Sequence, residues 1–381
     1  MSIEIKEVKT KADAKQFVNV QFDIYKGNKF WVPPLKAGEI KSLFPETNPA
    51  FEFCKAKFWL AFKDARPDEP FGRGKCVGRI GCIINEEYNK KTGEKMARFS
   101  RLDFFDDAEV IAQLISTAEK WAKEQGMIGI HGPLGFANLD TQGMLVEGFD
   151  HLQSIGSVYH HPYYHQQLEK LGYTKEIDWV EFRLTVGQVP FEKANRGAAL
   201  IQKRYGIEVL HFKKMTELLP YSDTLFKILN DAFSELPYVT GFTPKMMEFY
   251  KEKYIKLLNP EFVKMVILKG EPVGFIVGLP SLSEAMQKAK GKLFPFGFLH
   301  ILKALKGKDV MDQMLTGVKK EVMSTGAGVI LMAEIQKEML SKGMKYIETT
   351  GIFETNQNAI SNWKNYENIQ HKRKRCYIKM F

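Results

Sequence analysis

Residues 326–363 give the clearest indication of the fold, through the order of the elements that they predict. They read "GAGVILMAEIQKEMLSKGMKYIETTGIFETNQNAISNW". A glycine-rich turn opens this stretch, and residues 329–342 carry apolar side chains at helical spacing until Gly343 ends the helix. Residues 344–350 are typical of a β-strand, and residues 357–366 predict a second helix. With a further strand at the C-terminus, this part of the chain predicts a sheet covered by helices, which is an α/β fold.

Both halves of the chain follow the same order of elements. Each begins with a strand and helices, continues through antiparallel strands, and ends with a helix, a strand, a helix and a strand. Residues 186–197 contain two glycines and Pro190, which is typical of a linker. We therefore expect two domains, at residues 1–188 and 198–381, with residues 281–308 as a partly helical insertion in the second.

Composition and charge narrow the functional classes. The 381 residues are 44% hydrophobic and 26% charged, which excludes a disordered, collagenous or coiled-coil chain. The net charge is +10, but residues 1–190 hold 25 basic and 26 acidic side chains, whereas residues 191–381 hold 30 and 19. This asymmetry predicts that the second half faces an anionic partner.

The ends and the cysteines indicate a compartment. The N-terminus lacks the apolar core of a signal peptide, and no run approaches the ~18 apolar residues of a membrane span. The four cysteines form no C-x-x-C pair and are too few for a disulfide framework. The expectation is a soluble cytoplasmic protein with reduced cysteines and no transmembrane segment.

The second half carries a family motif. Asn356, Ala359 and Trp363 lie at the offsets of the N-x-x-A-x-x-x-Y pattern of the GNAT superfamily, the acyl-CoA N-acyltransferases. The chain resembles two such proteins in tandem, which implies two domains, each a mixed, mainly antiparallel sheet flanked by helices. The resemblance places Asn356 near the pantetheine arm and gives the Tyr position a proton-donor role. Trp363 stands there, and an indole is only a hydrogen-bond donor, so another group would have to supply the proton.

Two strings in the first half resemble a bacterial group of tandem GNAT-like proteins. They are "GPLGFANLDTQGMLVEGFD" (residues 132–150) and "VYHHPYYHQQLEKLGY" (residues 158–173). The group has Asn in its Y-N-P-P-Y-Y motif where this chain has His160. Four histidines fall within fifteen residues of this region: His151, His160, His161 and His165. They lack zinc-type ligand spacing, so we predict no metal site and instead a loop packed on aromatic rings. A hypothesis that keeps a function for it assigns substrate contacts to His160, Tyr163 and Tyr164.

The helix start at residues 323–328, "MSTGAG", is the candidate donor site. It resembles the family signature Q/R-x-x-G-x-G/A, although Met323 replaces the first residue. Free N–H groups and the helix dipole there bind a pyrophosphate in the family. The predicted acyl-CoA contacts are Ser324, Thr325, Gly326, Ala327, Gly328 and Asn356. The alternative is a ligand-free turn.

At the equivalent point the first half has Asp106, Asp107 and Glu109. Carboxylates at a helix start repel a phosphate placed there. The first domain is therefore expected to have lost the donor.

Three further features have two interpretations each. Glu348 and Glu354 flank a predicted strand end and are candidate bases for an amine acceptor, or else exposed residues. Residues 292–308 are apolar and basic, and would lie on a membrane surface, line a lipophilic pocket, or pack on the protein. The tail "HKRKR" (residues 371–375) would contact phosphates, or form a solvated edge strand.

Three hypotheses for function follow. The first is an N-acyltransferase that uses acetyl-CoA or another acyl-CoA and a small-molecule or peptide amine. The second is an aminoacyl transferase that uses charged tRNA, since peptidoglycan-modifying enzymes also pair two GNAT-like domains. The third is a non-catalytic binding protein.

Overall fold

The computed structural model of the protein describes residues 2–63, 74–361, 363 and 366–381, without the side chains of residues 188–190 and 256. Asn362 of the motif described above lies outside this set. The chain forms two compact units, and three segments make up unit 1: Met1–Trp179, Met286–Gly297 and Lys372–Phe381. Unit 2 is made of Val180–Ala285 and Phe298–His371.

The elements follow in chain order. The strands are β1 Ile3–Glu7, β2 Cys54–Lys63, β3 Lys75–Asn85, β4 Met96–Phe104, β5 Gly129–Gly132, β6 Met144–Glu147, β7 Thr174–Thr185, β8 Ile207–His211, β9 Val263–Leu268, β10 Glu271–Pro280, β11 Val310–Val318, β12 Tyr346–Thr349, β13 Ile352–Phe353 and β14 Asn368–Met380. The α-helices are α1 Lys11–Ile24, α2 Lys36–Lys41, α3 Glu86–Thr92, α4 Ala108–Glu124, α5 Tyr163–Lys170, α6 Gln188–Tyr205, α7 Met215–Leu218, α8 Ser222–Phe233, α9 Pro244–Tyr254, α10 Ser283–Ala289, α11 Gly297–Ala304, α12 Ala327–Ser341 and α13 Gln357–Ser361.

Unit 1 is a twisted sheet with helices packed on it. Its strands follow the order β1, β2, β3, β4, β5, β14, and β4 and β5 are parallel whereas the other neighbours are antiparallel. Helix α4 buries Val110, Leu114 and Ala118 on one stripe, the spacing expected of a helix that covers a sheet.

Unit 2 repeats this arrangement. Its strand order is β7, β12, β11, β10, β9, β8, with β11 and β12 parallel and β13 paired with β7. Helix α12 buries Ile330, Leu331 and Ile335 against the sheet. The predicted class, two mixed and mainly antiparallel sheets flanked by helices, is confirmed.

The structure differs from the sequence prediction at three places. The predicted linker at residues 186–197 is mostly helix α6, because Pro190 lies in the first turn, where its missing N–H costs nothing. The strand expected over residues 311–323 ends at Val318, and a 3₁₀ helix follows at Lys320–Thr325. The compact units also differ from the expected domain ranges, since Met286–Gly297 and Lys372–Phe381 belong to unit 1.

Candidate functional site

Two parallel strands of unit 2 pair over only part of their length. Strand β11 pairs with β12 over its first four residues, and the last pair is Gln313 with Thr349. In the described part of the chain, β11 then continues to Val318 along β10 only. Met314 is an extra residue relative to β10, so β11 has a bulge at this point, which re-aims its backbone. Residues 313–316 are half-buried, and the Thr350 hydroxyl lies 3.3 and 3.4 Å from the carbonyl oxygens of Gln313 and Met314.

The start of helix α12 lies a few residues further along the chain. Gly326 is its N-cap with φ of +85°, no side chain caps the helix, and its first turn has no acidic residue. A Cβ at Gly326 would lie 2.8 Å from Ile201, whereas a Cβ at Gly328 would meet no atom within 4 Å. An uncapped helix start beside open space fits the pyrophosphate of a CoA donor.

Three further residues predicted for the donor site, Ser324, Thr325 and Ala327, belong to the turn and helix start at this point. Ser324 is exposed and Ala327 is buried. The Thr325 hydroxyl donates to the Val322 carbonyl at 2.6 Å, so it stabilises the turn. Residues 324–328 are contiguous at the start of α12; Ser324 is exposed there and Gly328 is half-buried.

Glu348 is buried in β12 beside basic side chains. Its carboxylate accepts a hydrogen bond from Arg183 Nε and lies 2.7 Å from His371 Nε2. Its register partner on β11 is Asp312, which accepts from the Ser281 hydroxyl at 3.2 Å. Neighbours in register point to the same face of a sheet, so the two carboxylates share one face. Glu348 is therefore a buried carboxylate held by its neighbours and not an exposed strand end, and its assignment to catalysis stays a prediction.

The other motif residues of unit 2 have structural contacts. Asn356 Oδ1 accepts from the Ala359 N–H at 3.2 Å and caps α13. Trp363 is 4% exposed and packs on Phe182 with 5.0 Å between ring centroids, within the core of the unit. Glu354 is half-buried in the turn after β13. The assignments of Asn356 to the donor and of Glu354 and Trp363 to catalysis stay predictions.

In unit 1, the aromatic residues predicted to bind substrate surround a buried ion pair. Asp103 accepts from Arg79 Nε at 2.8 Å, from the Tyr25 hydroxyl at 2.9 Å and from the Tyr164 hydroxyl at 3.3 Å. Burial raises the pKa of Tyr25 and Tyr164 well above the usual value, so both stay neutral donors. The Tyr163 hydroxyl donates to the Phe104 carbonyl at 2.7 Å. These contacts are those of a hydrogen-bonded, mostly buried interior.

His160 belongs to the same interior. Its Nδ1 accepts a hydrogen bond from the Leu145 N–H at 3.1 Å, which requires that nitrogen to be unprotonated. Burial lowers the pKa of His160 to about 4, in agreement with this contact. His161 stacks on Tyr25 with 4.9 Å between the ring centroids. The assignment of His160, Tyr163 and Tyr164 to substrate binding stays a prediction.

The start of helix α4 in unit 1 is capped by the chain itself. Asp107 accepts from the N–H groups of Glu109 and Val110 at 3.0 and 3.4 Å. Lys63 lies 2.5 Å from Asp107, and its hydrogen bond lowers the pKa of that carboxyl. A carboxylate therefore already satisfies the N–H groups that would otherwise bind a phosphate.

The glycine-rich string of unit 1 is a buried loop. Residues 131–137 are all buried. Arg98 donates to the Gly135 carbonyl at 3.2 Å, and Asn85 donates to the Phe136 carbonyl at 2.9 Å. Polar side chains of β3 and β4 therefore hold the backbone of this loop.

The basic tail is engaged within the protein. Arg373 and Arg375 both bind Asp178, at 3.1 and 2.8 Å, and the Lys372 ammonium donates to the Leu152 carbonyl at 2.6 Å. Lys374 is buried. Because β14 pairs with β5 and β6, the solvated edge strand is wrong, and these paired charges do not form a phosphate-binding patch.

Sequence reasoning missed the partners of Glu348. Arg183 and His371 are distant in the chain from Glu348, and no local spacing signals that they meet. The bulge at Met314 also has no composition signal. Asp312 could have been found from the parallel register, once the ends of β11 and β12 were known.

The described residues contain neither a metal-binding cluster nor a membrane-spanning helix. No group of three or more His, Cys, Asp or Glu side chains there could hold a metal ion. Within the same ranges, none of the helices has the length and apolar character needed to cross a bilayer.

The chain is similar in sequence and in fold to several known proteins. No protein-family model matches the chain. It is 29% identical over 386 residues to the bacterial ceramide synthase of Caulobacter vibrioides, a match covering 98% of this chain and 96% of that protein. It is 26% identical over 376 residues to protein YghO of Escherichia coli, covering 97% and 93%. A tandem GNAT protein from the clavulanic acid biosynthesis pathway has a similar structure, with a TM-score of 0.54 at 12% identity, over 100% of this chain and 98% of that one.

Proposed function

We propose that this chain, which has the tandem GNAT fold, is an acyl-CoA-dependent N-acyltransferase that binds its acyl donor in unit 2. One observation carries the proposal. The partly paired strand β11 is followed, after the 3₁₀ helix Lys320–Thr325, by the uncapped start of α12. Such a pair offers backbone groups to the acyl arm and an anion site to the pyrophosphate.

The proposed acceptor is the primary amine of a long-chain lipid base. This rests on the bacterial ceramide synthase, whose match to this chain covers nearly the whole of both proteins. A ceramide is the amide of a fatty acid and a long-chain amino alcohol. The proposed reaction is therefore acyl transfer from a thioester to an amine.

The residues of unit 2 have distinct roles in the proposed mechanism. The neutral amine attacks the thioester carbonyl, a C–N bond forms and the C–S bond breaks. The backbone N–H at the Met314 bulge polarises the carbonyl oxygen. Glu348 takes a proton from the amine, and Arg183 and His371 are positioning residues that hold its carboxylate. Because Trp363 is a core residue, we propose that the thiolate leaves without protonation by a side chain.

The test is a direct assay of the purified full chain. Palmitoyl-CoA or acetyl-CoA is mixed with sphinganine or with ethanolamine, free thiol is measured, and the N-acyl product is identified by mass spectrometry. We expect product with the long-chain amine, and an increase of the melting temperature with CoA alone. At 100 times the Kd, bound ligand adds about 2.7 kcal/mol to the free energy of unfolding.

Two results would redirect the proposal. RNA binding with a steep salt dependence, and no effect of CoA, would favour the tRNA-dependent aminoacyl transferase. Absence of both CoA binding and thiol release would favour a non-catalytic binding protein.

A further inference from the structure

The insertion between β10 and β11 has an unusual composition. Residues 285–308, here called the apolar-basic segment, contain six lysines and no acidic residue. All six lysines are exposed; they are Lys288, Lys290, Lys292, Lys303, Lys306 and Lys308. The segment therefore has a high density of positive charge, whereas the first half of the chain is nearly neutral overall.

A loop in this segment exposes large apolar side chains. Leu293 is 38% exposed, Phe294 75% and Phe296 68%. Aromatic rings of this size normally bury most of their area, because leaving them in water forfeits a large hydrophobic gain. The exposure of two phenylalanines and a leucine so close together marks an interaction surface.

The base of the loop is held in place within unit 1. Gln287 Nε2 donates to the Lys29 and Trp31 carbonyls at 2.9 Å, and the Lys36 N–H donates to the Gly291 carbonyl at 3.0 Å. At the far end of the loop, a Cβ on Gly297 would lie 1.9 Å from the Lys292 carbonyl oxygen, so the loop closes on itself there. The exposed rings are thus the tip of an anchored loop.

Helix α11 follows the loop directly and has the same character. Leu299 is 51% exposed and Leu302 54%, whereas Ile301 is 6% exposed. One side of the helix therefore packs on the protein. A surface helix normally presents polar residues on its opposite side, but α11 presents leucines there, next to the exposed Lys303.

We propose that the apolar-basic segment docks on the surface of a lipid bilayer that contains anionic lipids. The exposed phenylalanines and leucines would enter the boundary between head groups and acyl chains, and the lysines would pair with the lipid phosphates. Charge selects this occupant over a second copy of the chain, because self-association would bring two sets of six lysines together. The proposal does not depend on acyl transfer, although it would bring the protein to a lipid acceptor.

The experiment is flotation of the full chain with vesicles and without any substrate. Vesicles of phosphatidylglycerol and phosphatidylethanolamine are compared with vesicles of phosphatidylcholine. We expect the wild type to float with the anionic vesicles, and salt to weaken its binding. The loop variant Phe294→Ser/Phe296→Ser is expected to bind at least about tenfold more weakly, since two apolar anchors are lost.

Matched variants separate the segment from general surface effects. Leu200→Ser/Leu219→Ser removes two other exposed leucines, 70% and 45% accessible, and is expected to bind like the wild type. Lys303→Glu/Lys306→Glu is expected to abolish the preference for anionic vesicles, whereas Lys11→Glu/Lys15→Glu, on the exposed side of α1, keeps it.

Three results overturn the proposal. They are absence of wild-type flotation with anionic vesicles, loop variants that bind as the wild type does, and equal losses in the segment variants and their controls. Because no substrate is present, these results are independent of the outcome of the acyl-transfer assay.

Discussion

Each unit contains two neighbouring parallel strands that are hydrogen-bonded over only part of their length. In unit 1 other parts of the chain cover the unpaired end, whereas in unit 2 that end is half-buried. In unit 1, β4 pairs with β5 over three residues and then continues to Phe104. The Leu134 N–H donates to the Phe99 carbonyl at 2.9 Å, and the Phe104 N–H donates to the Tyr164 hydroxyl at 3.1 Å. In unit 2 the corresponding stretch, residues 313–316, is half-buried. The end of the first parallel strand is thus covered by the chain in unit 1, whereas it is half-buried in unit 2, where we propose that the acyl donor binds.

The chemistry beside the two strand pairs also differs. The third pair of residues in each parallel ladder is Arg98 with His131 in unit 1 and Asp312 with Glu348 in unit 2. At the helix that follows, the N-cap and the second helical residue are Asp107 and Glu109 in α4, but Gly326 and Gly328 in α12. Unit 2 therefore combines carboxylates at the strand pair with a helix start free of negative charge. In unit 1 the corresponding strand pair has basic residues within a buried interior, and an acidic residue caps the helix that follows.

The largest effect is expected from Glu348→Gln. The amide keeps the size of the side chain but accepts no proton at neutral pH, so we expect kcat for N-acylation to fall about 10²- to 10⁴-fold. The unit 1 counterpart, His131→Gln, is expected to leave kcat unchanged. Steady-state thiol release, with melting temperatures of both variants, measures this difference. Similar kcat losses in the two variants would contradict the functional division between the units.

Arg183→Leu and His371→Phe sharpen the same test. Because Arg183 and His371 are proposed as positioning residues, these two variants are expected to have a lower kcat with little change in KM for the acyl donor. Arg183→Lys is expected to recover part of the loss. If the variants have a lower melting temperature but an unchanged kcat, Arg183 and His371 contribute only to stability.

The sequence predicted the order of elements well because that order depends on local patterns. The helical spacing of residues 329–342 corresponds to α12, and the strand predicted over residues 344–350 contains β12. Residues 186–197 were predicted as a linker because they contain two glycines and Pro190. Most of them instead belong to helix α6, because tertiary packing overrides the low helix propensity of such residues.

The candidate site was predictable only in its local parts. The glycines at the start of α12 are contiguous in the chain, so the sequence contained that signal. Glu348 was proposed from its position at a strand end, but its contacts with Arg183 and His371 join three separate strands. Such contacts depend on strand order and register, which no short motif records.

The second prediction concerns the interior of unit 1 and pH. His160 has a pKa lowered to about 4, below the value of about 6.5 expected in the unfolded chain. Between these values the unfolded state binds the proton more readily, so stability is full above pH 6.5 and is lost as the pH falls towards 4. From pH 7 to pH 5, the free energy of unfolding of the wild type should fall by about 2 kcal/mol more than that of His160→Asn.

Urea unfolding at several pH values measures this loss. Asn can still accept from the Leu145 N–H, so the variant removes the titration while keeping an acceptor. We expect kcat of the variant at pH 7 to match the wild type. Parallel pH dependences combined with a raised KM for the amine would instead make His160 a substrate contact.

The smallest expected effect comes from giving unit 2 the acidic helix start of unit 1. Gly328→Glu puts a carboxylate at the position that Glu109 occupies in α4, and open space around Gly328 leaves room for the side chain. An acidic residue there is favourable for the helix itself, so the fold should be retained, but it repels a pyrophosphate. A repulsion of about 1.4 kcal/mol corresponds to about a tenfold rise in KM for the acyl donor. Gly328→Gln has the same size without the charge and should give a smaller rise, which low salt would not enlarge. If the two variants have equal KM values at low and high salt, the donor phosphate does not bind at α12, and the contrast between the two helix starts has no role in function.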